Sequence, residues 1–181
     1  MCVIVAFMQN LSKQITFKRR ITGGEPKLSQ KKHSVVFVLT QEMADKDLND
    51  LKELIDEDDM ELKAVVKSSR EIEAFKETLF CFFMEEHSLI YTFGGIGMES
   101  DDIVPEATSS LVDKRLPGLE GAIMYSLMEK GAYSIINRGV CGIFHSTVVI
   151  NLPGKPVLIK EILNTITPLI KQGLYKIRIG K

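Results

Sequence analysis

The sequence is poor in the features that mark membrane, metal-binding or disulfide-stapled chains. Among its 181 residues no apolar run approaches the roughly 20 residues a spanning helix needs, so no membrane segment and no membrane partner is expected. The opening "MCVIVAFM" is apolar, but it has neither a basic n-region nor a small-residue cleavage site, and it reads as a strand rather than a signal peptide. Three cysteines, Cys2, Cys81 and Cys141, stand far apart and in no metal-ligand spacing. That excludes a disulfide framework and points to free thiols in a reducing, cytoplasmic compartment. His33, His87 and His145 are equally scattered, so neither a zinc centre nor a serine-histidine-aspartate triad has support. What remains, 45% apolar and 26% charged residues, is the balance of a globular domain with room for a substantial core.

Charge is nearly absent in sum, with a net of −1, yet it is unevenly spread. Residues 1–33 hold seven basic side chains (Lys13, Lys18, Arg19, Arg20, Lys27, Lys31 and Lys32) against the single acid Glu25, a net of +6 that leaves −7 for the rest. Such an arm can meet an anionic partner, but it is more commonly a solvated extension, and no nucleic-acid partner is expected. "TGGEP", Thr22 to Pro26, signals a turn or linker. The expected organisation is therefore a basic N-terminal extension over 1–33 and an α/β domain over 34–181.

From Ser34 onward strands and helices alternate. "SVVFVLT" suits a strand buried on both faces, and it leads into a helix in which Met43, Leu48, Leu51 and Ile55 recur at helical spacing. "ELKAVVK" repeats the strand. A second helix follows, with Ser68 and Glu71 in capping-box spacing and Ile72, Phe75, Leu79, Phe82 and Phe83 as its apolar stripe. The third strand is "SLIYTF". This order predicts parallel crossovers in an open sheet with helices on both faces, where ligands gather at the carboxyl ends of the strands.

At that end of the third strand the chain reads "YTFGGIGMESDDIVPEAT", Tyr91 to Thr108. Gly94, Gly95 and Gly97 allow positive φ and a close approach of backbone N–H groups to an anion. Pro105 suits the first turn of a following helix, whose N-terminus attracts phosphate. Glu99, Asp101, Asp102 and Glu106 would repel a bare phosphate, so their presence suggests Mg²⁺ carried in with a nucleotide. A plain turn before a well-charged helix start would hold the same residues. A second strand, "VVINLPGKP", Val148 to Pro156, also breaks into a glycine turn before an apolar-periodic helix containing Ile159, Ile162, Leu163, Ile166 and Ile170, and Lys155 sets a positive charge there. Two such loops in one sheet favour a shared crevice.

"GGIG", "DDIVPEAT", "LVDKRLPGLEGAI", "INRGVCGI" and "VVINLPGKP" resemble, in order and spacing, the "TTGGTG", "RDVTPEAT", "REVPGL", "LSRGVAGI" and "LPGSP" motifs of the molybdopterin-binding MoaB/Mog family. The likeness runs over roughly Ser34 to Leu174. It implies a three-layer α/β/α domain with a mostly parallel sheet, a homotrimer, and adenylylation of molybdopterin, in which the terminal phosphate of the pterin attacks the α-phosphate of Mg-ATP and pyrophosphate leaves. By position, Gly94, Gly95 and Gly97 match the glycine loop, and Asp102 matches an acid that the family uses in catalysis. Pro105 and Glu106 match the helix start, and Asn151, Leu152, Pro153 and Gly154 match the second loop. Asp102 and Glu99 are the expected Mg²⁺ carboxylates.

The departures bear on activity. "LTQE", Leu39 to Glu42, replaces "VSD" or "ISDR". "VKSS", Val66 to Ser69, stands where the family has the acids of "VPDD". Phe93 and Ile96 replace two threonines, and Asn137 replaces the serine of "LSRG". Losing a carboxylate from a Mg-nucleotide site weakens charge neutralisation and positioning, which supply most of phosphoryl-transfer catalysis. Three readings follow: an adenylyltransferase in which Asp101 or Glu99 compensates for the missing acid, a pterin- or nucleotide-binding paralogue without turnover, and a nucleotide pyrophosphatase of the competence-damage type. The last fits "LPGLEGAI" and "INRGVCGI" least well.

Overall fold

The structure, a computed structural model of the chain, describes residues 32–56, 59–128 and 136–179. The expected N-terminal strand and all but the last two residues of the expected extension lie outside the described residues.

The alternation of short β-branched runs with amphipathic stretches gives β1 (His33–Leu39), α1 (Asp45–Ile55), β2 (Met60–Lys67), α2 (Ile72–Met84) and β3 (Leu89–Phe93). These are followed by α3 (Val104–Leu111), β4 (Lys114–Arg115), α4 (Pro117–Met128), β5 (Cys141–Phe144), β6 (Thr147–Leu152) and α5 (Pro156–Ile179). The strands form one six-stranded sheet in the order β2-β1-β3-β6-β5-β4. β2, β1, β3 and β6 run parallel. The short β5 and β4 continue the sheet antiparallel from β6.

Helices cover both faces, because the central strands are apolar on both. Val35, Phe37 and Leu39 of β1, Leu89, Tyr91 and Phe93 of β3, and Val148, Ile150 and Leu152 of β6 join Leu51, Ile55, Ile123, Leu127 and the Ile159–Leu174 stripe of α5 in one core. Val36, Val38, Ile90 and Val149 meet Phe75, Leu79 and Phe83 of α2 and Val104 and Ala107 of α3 in the other. α1, α4 and α5 thus form one outer layer and α2 and α3 the second, the three-layer architecture that a strand alternation of period 2 within a buried parallel sheet demands.

The start of α2 differs from the capping-box expectation. Glu71 is the N-cap and its side chain makes no capping bond. The amide of Ser68 still donates to the Leu39 carbonyl at 2.8 Å, so Ser68 continues the edge strand and lies too early to cap. Its buried hydroxyl donates to Thr78 Oγ1 at 3.1 Å, and Ser69 Oγ accepts the Glu71 amide at 3.0 Å instead. Among the described residues no helix is long and apolar enough to cross a membrane.

Candidate functional site

Four adjacent parallel strands deliver their carboxyl ends to one place. Gln41 follows β1, Arg70 follows β2, the glycine loop follows β3, and Pro153, Gly154 and Lys155 follow β6. Together with Glu99, Asp102, Asn137 and several apolar side chains they line a cleft of about 480 Å³.

The glycine loop is held in a conformation that side chains resist. Gly94 has φ +88° and Gly95 φ +66°, the left-handed region where a Cβ is strained. Space is short as well: a Cβ on Gly95 would come within 2.8 Å of Val104 Cγ2, and one on Gly97 within 2.5 Å of Asp102 Oδ2. The loop's carbonyls are taken up by the protein. Gly95 O accepts the Val104 amide at 3.1 Å and Ile96 O accepts the Arg138 amide at 3.0 Å. Gly97 O accepts Arg138 Nε at 2.5 Å. Arg138 also donates to Asp102 O at 2.7 Å and pairs with Glu106. Three of the loop's carbonyls are thus engaged, and the Gly94 amide in turn donates to Leu152 O at 3.0 Å, which ties the first loop to the strand of the second.

Asp102 sits against this loop, 9% exposed, with Oδ2 accepting the Glu99 amide at 3.0 Å. The absence of a side chain at Gly97 makes the room for that carboxylate. Pro105 lies in the first turn of α3 and is buried. It shapes the helix start rather than the cleft wall. Asp101 is turned to Arg70 in an ion pair, and Arg70 Nε donates to Thr40 O at 3.3 Å.

The second turn is built from the opposite direction, from the strand beneath it. Asn151, 1% exposed, donates from Nδ2 to Thr92 Oγ1 at 2.9 Å and to Thr108 Oγ1 at 3.0 Å. Its Oδ1 accepts the Val140 amide at 3.1 Å. That side chain welds β6, β3 and α3 together just below Pro153 and Gly154. Above, Gln41 Nε2 donates to Gly154 O at 2.8 Å, so a neutral amide ties the end of β1 to the second turn.

A second, more polar cleft of about 390 Å³ adjoins the first at Asn137 and is lined by Arg115, Pro117, Glu120, Gly121, Arg138, Gly139 and neighbours. The "LPGLEGAI" and "INRGVCGI" segments meet there. Arg115 and Glu120 form a two-pronged pair, Nε to Oε1 and Nη2 to Oε2, each at 2.9 Å. Glu120 Oε1 also accepts the Cys141 amide at 2.9 Å. Burial, with the Glu120 charge beside it, pushes the Cys141 thiol well up from its ordinary value, which keeps it protonated and unfit as a nucleophile.

Of the residues named from the sequence, the structure brings Gly94, Gly95, Gly97, Glu99, Asp102, Pro153 and Gly154 to one cleft. Asp101, Pro105, Glu106 and Asn151 stand around it as supports. Sequence reasoning did not single out Gln41, Arg70, Arg115, Glu120 or Arg138. Gln41, Arg115, Glu120 and Arg138 lay inside quoted segments, but a polar or charged residue in such a segment carries no sign of what it will clamp. Among the described residues no group of three or more histidine, cysteine or carboxylate side chains is placed to hold a metal.

Comparison with known proteins gives a consistent result. Residues 27–172 match the family described as "Probable molybdopterin binding domain". Over 82 residues the chain is 38% identical to a molybdopterin adenylyltransferase of Helicobacter pylori, covering 45% of this chain and 47% of that one. Over 93 residues it is 37% identical to the molybdenum cofactor synthesis protein cinnamon of Drosophila melanogaster, covering 51% of this chain and 16% of that one. The matched region thus spans less than half the length of these curated relatives. The structure resembles that of the molybdopterin biosynthesis enzyme MoaB from Thermus thermophilus, with a TM-score of 0.72, 27% identity, and coverage of 82% of this chain and 96% of that one.

Proposed function

The chain belongs to the molybdopterin-binding domain family, and from that premise we propose that it acts in molybdenum cofactor biosynthesis by transferring AMP from ATP to the terminal phosphate of molybdopterin. The observation that carries this reading is the pair of clefts joined at Asn137. A two-substrate transfer needs two anionic substrates held against each other, and effective positioning supplies most of what such a reaction requires of a protein. The nucleotide would lie in the cleft of the two glycine turns. The pterin phosphate would approach from the side of Arg115 and Arg138.

In the reaction an oxygen of the pterin phosphate bonds to the α-phosphorus of ATP, and the bond from that phosphorus to the bridging oxygen breaks, releasing pyrophosphate. The glycine-loop amides other than that of Gly94, which donates to Leu152 O, would meet the negative charge that builds on the transferring group. Asp102, tethered by the Glu99 amide, is the carboxylate fixed most firmly beside them. Glu99 and Asp102 fit a Mg²⁺ that takes its other ligands from phosphate and water, as that ion prefers. Such an ion would neutralise phosphate charge.

AMP transfer to molybdopterin, measured for wild type and Asp102→Asn side by side, tests the reading. The substitution keeps the shape and removes the charge, so transfer should fall by about 10²-fold or more while pterin binding persists. Equal rates would remove Asp102 from the mechanism. Binding of both substrates by the wild type without transfer would leave a binding module.

We further propose a homotrimer. Tyr125, Met128, Leu169 and Tyr175 are large apolar side chains more than half exposed on α4 and α5, and an apolar groove of about 470 Å³ runs between these helices. A monomeric mass by light scattering at micromolar concentration would overturn that state.

A further inference from the structure

Among the described residues, Asn137 alone lines both clefts. Its side chain is turned by its own backbone: Oδ1 accepts the Gly139 amide at 2.7 Å, the short turn that asparagine closes for itself. Because an amide N–H must meet an oxygen, that bond also fixes which end of the side chain is which, and Nδ2 is the end left over. Gly139 makes room for this. A Cβ there would stand 3.0 Å from Asn137 Oδ1 and 3.0 Å from Asn151 O.

The segment that carries Asn137 is strapped down just after it. The Arg138 amide donates to Ile96 O, and its guanidinium holds Gly97 O, Asp102 O and Glu106, so each nitrogen of that side chain already has a protein partner. Next along the chain, Asn151 N donates to Val140 O at 3.0 Å and Val140 N donates to Asn151 Oδ1 at 3.1 Å. Asn137 Nδ2, by contrast, has no acceptor among the described residues, and the residue is only part-buried. A neutral donor is thus held in place, with both hydrogens free, where the two clefts meet. Donors fixed before the reaction need no reorganisation when charge moves, and that is what makes them effective.

We propose that Asn137 Nδ2 is a catalytic donor spanning the two substrates, giving one hydrogen to a non-bridging oxygen of the attacking pterin phosphate and the other to the α-phosphate of the nucleotide. The proposal rests on the reading of the joined clefts as the two substrate sites. A lone pair of the pterin phosphate oxygen forms the new bond to the α-phosphorus, and the electron pair of the bond from that phosphorus to the bridging oxygen leaves with pyrophosphate. No proton has to move, so an amide that donates without titrating suits the step. The serine of the "LSRG" motif carries a single hydroxyl hydrogen, which makes the two-way bridge particular to the asparagine of this chain.

Steady-state AMP transfer from ATP to molybdopterin by the full chain, with thermal melting alongside, provides the test in two variants. Asn137→Ala removes the donor without adding charge, and it should lower kcat by about 10²-fold while the KM for ATP and for molybdopterin each stay within about 3-fold of wild type. Asn137→Asp keeps the shape and the acceptor for the Gly139 amide but sets a negative oxygen where Nδ2 was. It should melt as wild type does and transfer no faster than Asn137→Ala. A loss in Asn137→Ala that Asn137→Asp restores would assign the residue to the turn alone and overturn the proposal. So would an unchanged kcat in Asn137→Ala, or a rise in KM with kcat preserved. In each of these cases transfer by the wild type leaves the reading of the clefts standing. Absence of transfer by the wild type would overturn that reading and the donor with it.

Discussion

The two glycine turns of the cleft look alike in sequence, each a buried strand that breaks into glycine before a helix, but they need glycine for different reasons. In the first, Gly94 and Gly95 have positive φ, so the requirement lies in the backbone itself. In the second, Gly154 has ordinary backbone geometry, and what forbids a side chain is Gln41: a Cβ there would lie 2.1 Å from Gln41 Nε2. The first turn is clamped from outside by Arg138. The second is anchored from below by Asn151. A glycine fixed by conformation tolerates no replacement at any neighbour, whereas one fixed by a flexible side chain tolerates replacement as soon as that side chain gives way.

The largest effect expected from breaking this contrast comes from the anchor of the second turn. Asn151→Ala strips partners from a buried backbone amide and two threonine hydroxyls at once, in a place water does not reach, and should destabilise the domain by about 3 kcal/mol. Denaturant unfolding of wild type and variant measures it. A loss under about 1 kcal/mol would mean that water or a neighbour replaces the amide, and the second turn would not depend on its strand. Gly95→Ala comes next. It forces alanine into the left-handed region and against Val104 of α3, a cost of about 2 kcal/mol, and a substitution of Val104 by alanine should recover only the steric share of it.

These differences mark where sequence reading succeeds and where it stops. The layers were legible because a parallel sheet buried on both faces leaves continuous apolar runs such as "SVVFVLT" and "VVINLP", and these became β1 and β6. The glycines of both turns were legible because few other residue types suit such positions. The supports were not. Asn151 reads as a loop residue beside Pro-Gly, yet it is a core side chain with three bonds. Arg138 reads as a surface arginine, yet it fastens the first loop to α3. Apart from Val140, 11 positions from Asn151, their partners cited here lie 30 to 60 positions away in the chain, and no local spacing encodes those. The capping box at Ser68 failed for the same reason, since the sheet edge claimed Ser68 through the Leu39 carbonyl.

The smallest predicted effect is the sharpest test of the comparison. Gly154→Ala places a methyl group where the end of Gln41 now lies, but Gln41 is a flexible side chain and is half-buried. It can swing aside, and the loss is then the hydrogen bond from Nε2 to Gly154 O, about 1 kcal/mol. In Gln41→Ala that bond is already gone and the space is empty, so adding Gly154→Ala to it should cost nearly nothing. The double-mutant cycle should therefore show a coupling close to the whole effect of Gly154→Ala alone. The same cycle between Gln41→Ala and Gly94→Ala should behave differently. A Cβ on Gly94 would also meet Gln41, at 2.8 Å from Oε1, but Thr40 Oγ1 lies 2.9 Å away and φ is +88°, so removing Gln41 leaves most of the strain in place. If both glycine substitutions were rescued equally by Gln41→Ala, the distinction between a conformational and a steric glycine would not hold here. If neither were, Gln41 would not be what the second turn makes room for.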